Sequence, residues 1–344
     1  MTGVACSAIG AAGAQRRPIL DIHVHLFGTG DNKSGCRLSQ KVQHGVEFQS
    51  LTQLLRLRER AKTIDLGYER ALVEHVDRSG MDRCLILAQD AVYDSNGKPD
   101  WDRTHVYTPN DHLLDVVSRN GKMVSCVSIN PDRGDAIDEL ERCASKGARV
   151  LKIHPPIQGV NVADKKHAKF FERCTKLKML VLVHTGHEHA GPVIDIKLAD
   201  PGKLELALDC GCTVVACHSG TGWATDKPDY LTPFLAMIRK HPKLYGDTSV
   251  CGTATRVRAF TQLLADKKAQ TRLLHGSDFP FPSAPVAFAQ SIGWKTAVRL
   301  QQQRNLIKRD FTLKSTLGIG LESATRAHEL VDRFAKISQA PKKK

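Results

Sequence analysis

The chain has 344 residues, 41% of them apolar and 25% charged, which fits a sizeable buried core and excludes a chain disordered over long stretches. Its net charge of +14 suits anionic ligands, but the basic residues are dispersed rather than gathered with aromatics, which argues against nucleic-acid binding as the main function. No apolar stretch reaches the length needed to cross a bilayer, so a membrane partner is not expected.

In chain order, the first seventeen residues are small and weakly apolar. Their arginines, Arg16 and Arg17, follow the apolar part, the reverse of a secretory signal. A flexible N-terminal arm is expected over 1–17 and a single domain over 18–340. Ten cysteines are scattered along the chain, mostly beside apolar residues as at Cys84, Cys126 and Cys217, with no CxxC pair. This predicts reduced, packed thiols in a cytoplasmic protein.

Pro18 to Phe27, PILDIHVHLF, is the stretch around which the rest is arranged. In a strand, residues two apart point to the same side, so His23 and His25 can converge on one ion. The same period places Asp21 on their face and Leu20, Ile22 and Val24 on the other. Seven more short apolar runs follow: Cys84–Gln89, Met123–Ile129, Val150–His154, Met179–His184, Thr213–His218, Leu244–Ser249 and Arg272–Asp278. From the third on they start roughly 30 residues apart, the size of a strand-plus-helix unit. The intervening Asp135–Lys146, Ala163–Leu177, Leu231–Lys240 and Arg256–Ala265 have helical periodicity. Eight such units predict an α/β fold, a closed (β/α)8 TIM barrel. Residues 27 to 65 form a long insertion after strand 1, placed over the mouth, and Pro280 to Lys344 supplies extra C-terminal helices.

Polar residues fall at the C-terminal ends of these runs: Lys152 and His154 on the fourth, His184 on the fifth, His218 on the sixth and Asp278 on the eighth. A buried charge or imidazole is costly unless paired or bound to metal, so several on converging strands imply a common partner. Taken singly, His154 before Pro155 also reads as a strand terminator, and His275 reads as a supporting residue. In the loops, His187, Glu188 and His189 are within reach of the mouth after the fifth run, and Trp223 and Asp226 follow the sixth. Arg256 and Arg258 open the helix after the seventh, where a guanidinium can hold a carboxylate in two-point fashion. His187, Trp223 and Arg256 are the substrate-binding candidates.

In motif order, DIHVH, LKIHPP, LVHTG, CHSG and HGSDFP, the sequence from Pro18 onward resembles the amidohydrolase superfamily. Within it, the chain is similar to the amidohydrolase-related branch that contains both hydrolases and non-oxidative decarboxylases. The resemblance implies that His23, His25, His184 and Asp278 are metal ligands. It makes Asp278 also the proton acceptor, and His218 either a ligand of a second ion or an acid/base residue. Lys152 matches the position of a lysine that is carboxylated and bridges two ions in some members, and a salt bridge at the mouth is the other reading of it. The implied cofactor is a divalent metal, zinc by preference, as one or two ions. The implied activity is hydrolysis of an amide, lactone or related bond of a small anionic molecule, with decarboxylation of an aromatic or unsaturated acid as the alternative. A homo-oligomer is compatible with these features.

Overall fold

The structure is a computed structural model that describes residues 16–337, so most of the expected N-terminal arm lies outside the described residues. Eight parallel strands form one sheet whose neighbours follow chain order. They are β1 (Leu20–His25), β2 (Arg83–Leu87), β3 (Met123–Ser128), β4 (Val150–Ile153), β5 (Leu180–His184), β6 (Thr213–Cys217), β7 (Leu244–Asp247) and β8 (Leu273–Leu274). The sheet closes through the segment after β8. Ile22 N–H donates to the His275 carbonyl at 2.9 Å, Asp278 N–H to the His23 carbonyl at 2.9 Å, and His25 N–H to the Phe279 carbonyl at 2.8 Å. The expected (β/α)8 barrel is therefore the observed one.

Strand β8 is shorter than the run Arg272–Asp278. Gly276 passes so close to β1 that a Cβ there would lie 2.8 Å from the His23 Cβ, and Asp278 adopts φ 64°. The chain cannot stay extended while making that approach. Strand β7 also stops early, because Ser249 N–H folds back onto the Asp247 carboxylate at 3.1 Å.

Alternation sorts most strands as a period of two requires. Leu85 and Leu87, Val124 and Cys126, Leu180 and Leu182, and Val215 and Cys217 face one interior cluster. Cys84, Ile86, Val127, Leu151, Val181, Val183, Val214 and Ala216 belong to the larger cluster beneath the helices. Strand β1 departs from the expectation. Its register shifts between Asp21 and Val24, so that Leu20 and Ile22 join the inner cluster and Val24 the outer. Asp21 Oδ1 accepts N–H bonds from His23 and from Ser277, both at 3.0 Å, and so knits β1 to the end of β8. A bulge of this kind flips the face of every residue on one side of it.

Helices cover the outside, among them Ile64–Asp77, Asn110–Ser118, Ala136–Ser145, Ala168–Lys176, Leu231–Lys240 and Val257–Ala265. The last long helix, Gly320–Ala335, sends Ala327, Leu330 and Val331 into the inner cluster and plugs the N-terminal end of the barrel. The insertion after β1 is pinned over the other end. Arg37–Leu38 pairs with Val106–Tyr107 of the loop after β2, with the Arg37 guanidinium over Trp101. The nine cysteines among the described residues are unpaired, and no described helix is long and apolar enough to cross a membrane.

Candidate active site at the barrel mouth

Five imidazoles run as a row across the C-terminal rim. Ring centroids are 5.0 Å apart for His25 and His23, 4.9 Å for His23 and His218, 4.6 Å for His218 and His184, and 4.1 Å for His184 and His154. Four stand at or just beyond a strand end and His23 lies two residues inside the end of β1, so strand geometry brings them together.

At one end of the row, His23 and His25 face Asp278. Their Nε2 atoms lie 3.2 and 3.3 Å from the same Asp278 Oδ1, which is buried and accepts no hydrogen bond. A tetrahedral ion with bonds of about 2.0–2.2 Å would hold its ligand atoms roughly 3.3–3.6 Å apart. This donor set, two imidazole nitrogens and an orphaned carboxylate oxygen, therefore fits a divalent cation. Lys152, fully buried on β4, brings Nζ to 3.4 Å from His23 Nε2.

Asp247 at the end of β7 holds this arrangement from beneath, and nothing in the sequence reading singled it out. Its Oδ2 accepts from His23 Nδ1 at 2.8 Å, which fixes the tautomer and leaves Nε2 without a proton. Its Oδ1 accepts from His218 N–H at 2.7 Å and from the Ser249 hydroxyl. Ser249 Oγ in turn accepts from His218 Nδ1 at 2.8 Å. One carboxylate thus sets the protons of two imidazoles. Because both its oxygens are committed, the grouping of His23, His218 and Asp247 is a hydrogen-bonded buttress.

The charges agree with this reading. Burial, reinforced by Lys152, lowers His23 to about 4. Burial, with the His23 and Lys152 charges beside it, lowers His218 to about 3. Both are neutral near pH 7, as a ligand or proton acceptor must be. Burial pushes the Asp278 carboxyl up, but the surrounding His23, His25 and His218 outweigh it and hold it below the usual carboxylate range. His218 (φ 62°) and Asp278 (φ 64°) both occupy the left-handed region, a strain of about 1–3 kcal/mol each that is concentrated at this rim.

His184 is not part of the His23, His25 and Asp278 group. Its ligand atoms fall instead with His154 and Glu188 at the far end of the row. It is the family resemblance that implies a place for His184 beside His23, His25 and Asp278.

Two of the three substrate-binding candidates, Arg256 and His187, are bonded to the protein's own backbone. Arg256 is buried, 6% exposed, and its guanidinium donates to the Thr221 carbonyl, to Thr221 Oγ1 at 3.2 Å and to the His187 carbonyl at 2.8 Å. It is a strut tying the loops after β5 and β6. Those loops meet where Gly186 (φ 86°) would place a Cβ 2.3 Å from the Thr221 carbonyl oxygen, so only glycine fits. His187 is buried and donates Nε2–H to the Pro228 carbonyl at 2.8 Å. Trp223 is 42% exposed and stacks on His189 with ring centroids 3.9 Å apart.

A family profile described as amidohydrolase matches residues 20–302. No curated protein matches the chain. Among solved structures, an uncharacterized TIM-barrel protein from Bordetella bronchiseptica is similar, with a TM-score of 0.62 and 14% identity over 93% of this chain and 99% of that one. The apo form of IDCase from Metarhizium anisopliae aligns with a TM-score of 0.53 and 14% identity, over 94% of this chain and 98% of that one.

Proposed function

The chain belongs to the amidohydrolase family, and from that premise we propose that it is a metal-dependent hydrolase of an amide, lactone or related bond. The observation that carries this reading is the buried Asp278 Oδ1, without a hydrogen-bond donor and faced by two imidazole nitrogens. His23, His25 and Asp278 would hold the ion, with zinc the best match to nitrogen and carboxylate donors. A divalent ion there supplies Lewis acidity, polarising a carbonyl and lowering the pKa of a water molecule.

The residues of the chain do the rest. Asp247 keeps the His23 proton on Nδ1, so Nε2 always presents its lone pair. Asp278, ionised by its neighbours, takes the proton of the attacking water and returns it to the leaving group. His218 has its Nδ1 proton committed to Ser249, so Nε2 is the nitrogen able to accept a hydrogen bond from that water and orient it. An ammonium 3.4 Å from a ligand atom repels a cation, so Lys152 serves a loaded site as a neutral or carboxylated group. The net charge of +14 favours approach of anionic substrates.

The test is a panel of lactones, amides and aromatic acids assayed in water enriched in oxygen-18. Label entering the product, with activity lost to a chelator and restored by Zn2+, is expected. Carbon dioxide release without label incorporation would instead make the chain a decarboxylase.

A further inference from the structure

The N-terminal end of the barrel, a strand's length from the imidazole row, carries a groove of about 390 Å³ beside the aliphatic floor. Lys178, Lys243 and Arg333 line it together with Tyr245, and among the described residues no carboxylate does. These cations are far apart in the sequence and the fold gathers them. Lys178 and Lys243 stand just before β5 and β7, and Arg333 comes from the last turn of the plugging helix Gly320–Ala335. Each has hydrogens to spare. Lys243 Nζ donates to the Gly211 carbonyl at 2.9 Å, which uses one of the three on an ammonium. Arg333 Nη2 donates to the Tyr245 hydroxyl at 3.2 Å, so the tyrosine oxygen accepts there and keeps its own proton for another partner. The Lys178 ammonium makes no hydrogen bond or ion pair among the described residues. Lys178 also holds the left-handed backbone (φ 54°) just after the helix Ala168–Lys176, where glycine is favoured, so a charged side chain is kept there at a conformational cost.

A helix macrodipole accounts for a lone cation near a helix C-terminus, and the bond from Lys243 to the Gly211 carbonyl fits that role. It does not account for three cations lining one groove, which repel one another until an anion lies among them. We propose that this groove binds the phosphate group of a small molecule. A phosphate brings a dianion's charge and several acceptor oxygens, which suits two ammonium groups, a guanidinium and a hydroxyl better than a single carboxylate does. The groove is roomier than a phosphate alone requires and lies in the size range of small-molecule sites. It sits at the opposite end of the strands from His23, His25 and Asp278, so it stands whether or not the hydrolase reading does.

The full-length chain, with and without Zn2+, is titrated calorimetrically with inorganic phosphate and with glycerol 3-phosphate at constant ionic strength. Saturable binding at a single site, independent of Zn2+, is expected. Tighter binding of glycerol 3-phosphate identifies a phosphate ester as the occupant, and equal binding of the two identifies the free anion. Lys178→Gly, which suits the left-handed backbone and so preserves the fold, and Arg333→Gln should each weaken binding about tenfold or more. Lys295→Gln, which removes a cation from the outer helix Trp294–Gln301, should leave it unchanged. Absence of saturable binding overturns the proposal. So does binding that requires Zn2+, which places the anion at the mouth. Binding that Lys178→Gly and Arg333→Gln alter by less than a factor of two, or that Lys295→Gln weakens as much as they do, also overturns it and makes the groove one part of a generally basic surface.

Discussion

The two ends of the barrel are built from the same strands and the same inward-facing register, yet they differ in every chemical respect. Strand β5 presents Leu180 and Leu182 to the floor and His184 to the rim, and β4 presents Val150 below and Lys152 above. The floor is closed by aliphatic contact with Ala327, Leu330 and Val331, where burial is favourable and any side chain of similar volume serves. The rim buries imidazoles, an ammonium and carboxylates, each of which is costly unless its partners are in place. Height along a strand, rather than side of the sheet, decides which residues are chemical.

The most severe way to break that division is Asp278→Asn. Turnover should fall by about 10³-fold or more, because the proton acceptor and one ion ligand go together, while the thermal unfolding midpoint changes little. Unchanged turnover would remove Asp278 from the mechanism. The complementary change at the floor is Leu182→Ala, which should lower the unfolding free energy in urea by about 2–5 kcal/mol and leave turnover per folded molecule intact. A Leu182→Ala enzyme that unfolds normally but turns over slowly would show that the two ends are coupled.

Much of this was legible in the sequence, for reasons that differ by residue. The floor was readable because apolar alternation is a local signal, and the eight runs fell where strands form. The rim was readable where a polar residue ended an apolar run, as at His184, His218 and Asp278. Asp247 was missed because LYGD resembles a strand running into a turn, and its role depends on His23 lying 224 residues away. The face of Asp21 differs from the expectation because the β1 register shifts between Asp21 and Val24, which a local period of two does not reveal. Arg256 was taken for a ligand contact because sequence shows a guanidinium but not the carbonyls already bonded to it.

Asp247 offers a milder test of how the rim is held. Asp247→Asn keeps the volume but can no longer accept from His23 Nδ1 and Ser249 with two charged oxygens, so His23 loses its fixed tautomer. Zinc affinity, read by competition with a chelator, should weaken about 10–100-fold, with His23 and His25 still in the sequence and the fold retained. Affinity unchanged within a factor of two would mean that Asp247 supports the strand end and not the ligand.

The smallest expected effect concerns His275, which leaves the rim for the outside of the barrel. Its ring is fully buried, packs edge-on to Phe311 at 5.3 Å, and neither nitrogen has a hydrogen-bond partner. Burial, with the Lys314 charge nearby, holds it well below the ordinary imidazole range. In the folded state it therefore stays neutral, while in the unfolded chain it takes up a proton as pH falls below about 6.5. The unfolded state then binds more protons, so folding stability drops on acidification through that range by at most about 1.4 kcal/mol per pH unit from this group. His275→Leu should make urea unfolding less sensitive to acid between pH 7 and 5, with little change at pH 8. Equal slopes for the two proteins would show that the ring is protonated in the folded state and that a polar partner reaches it. His275 would then share the chemistry of the rim, even though it packs outside the barrel wall.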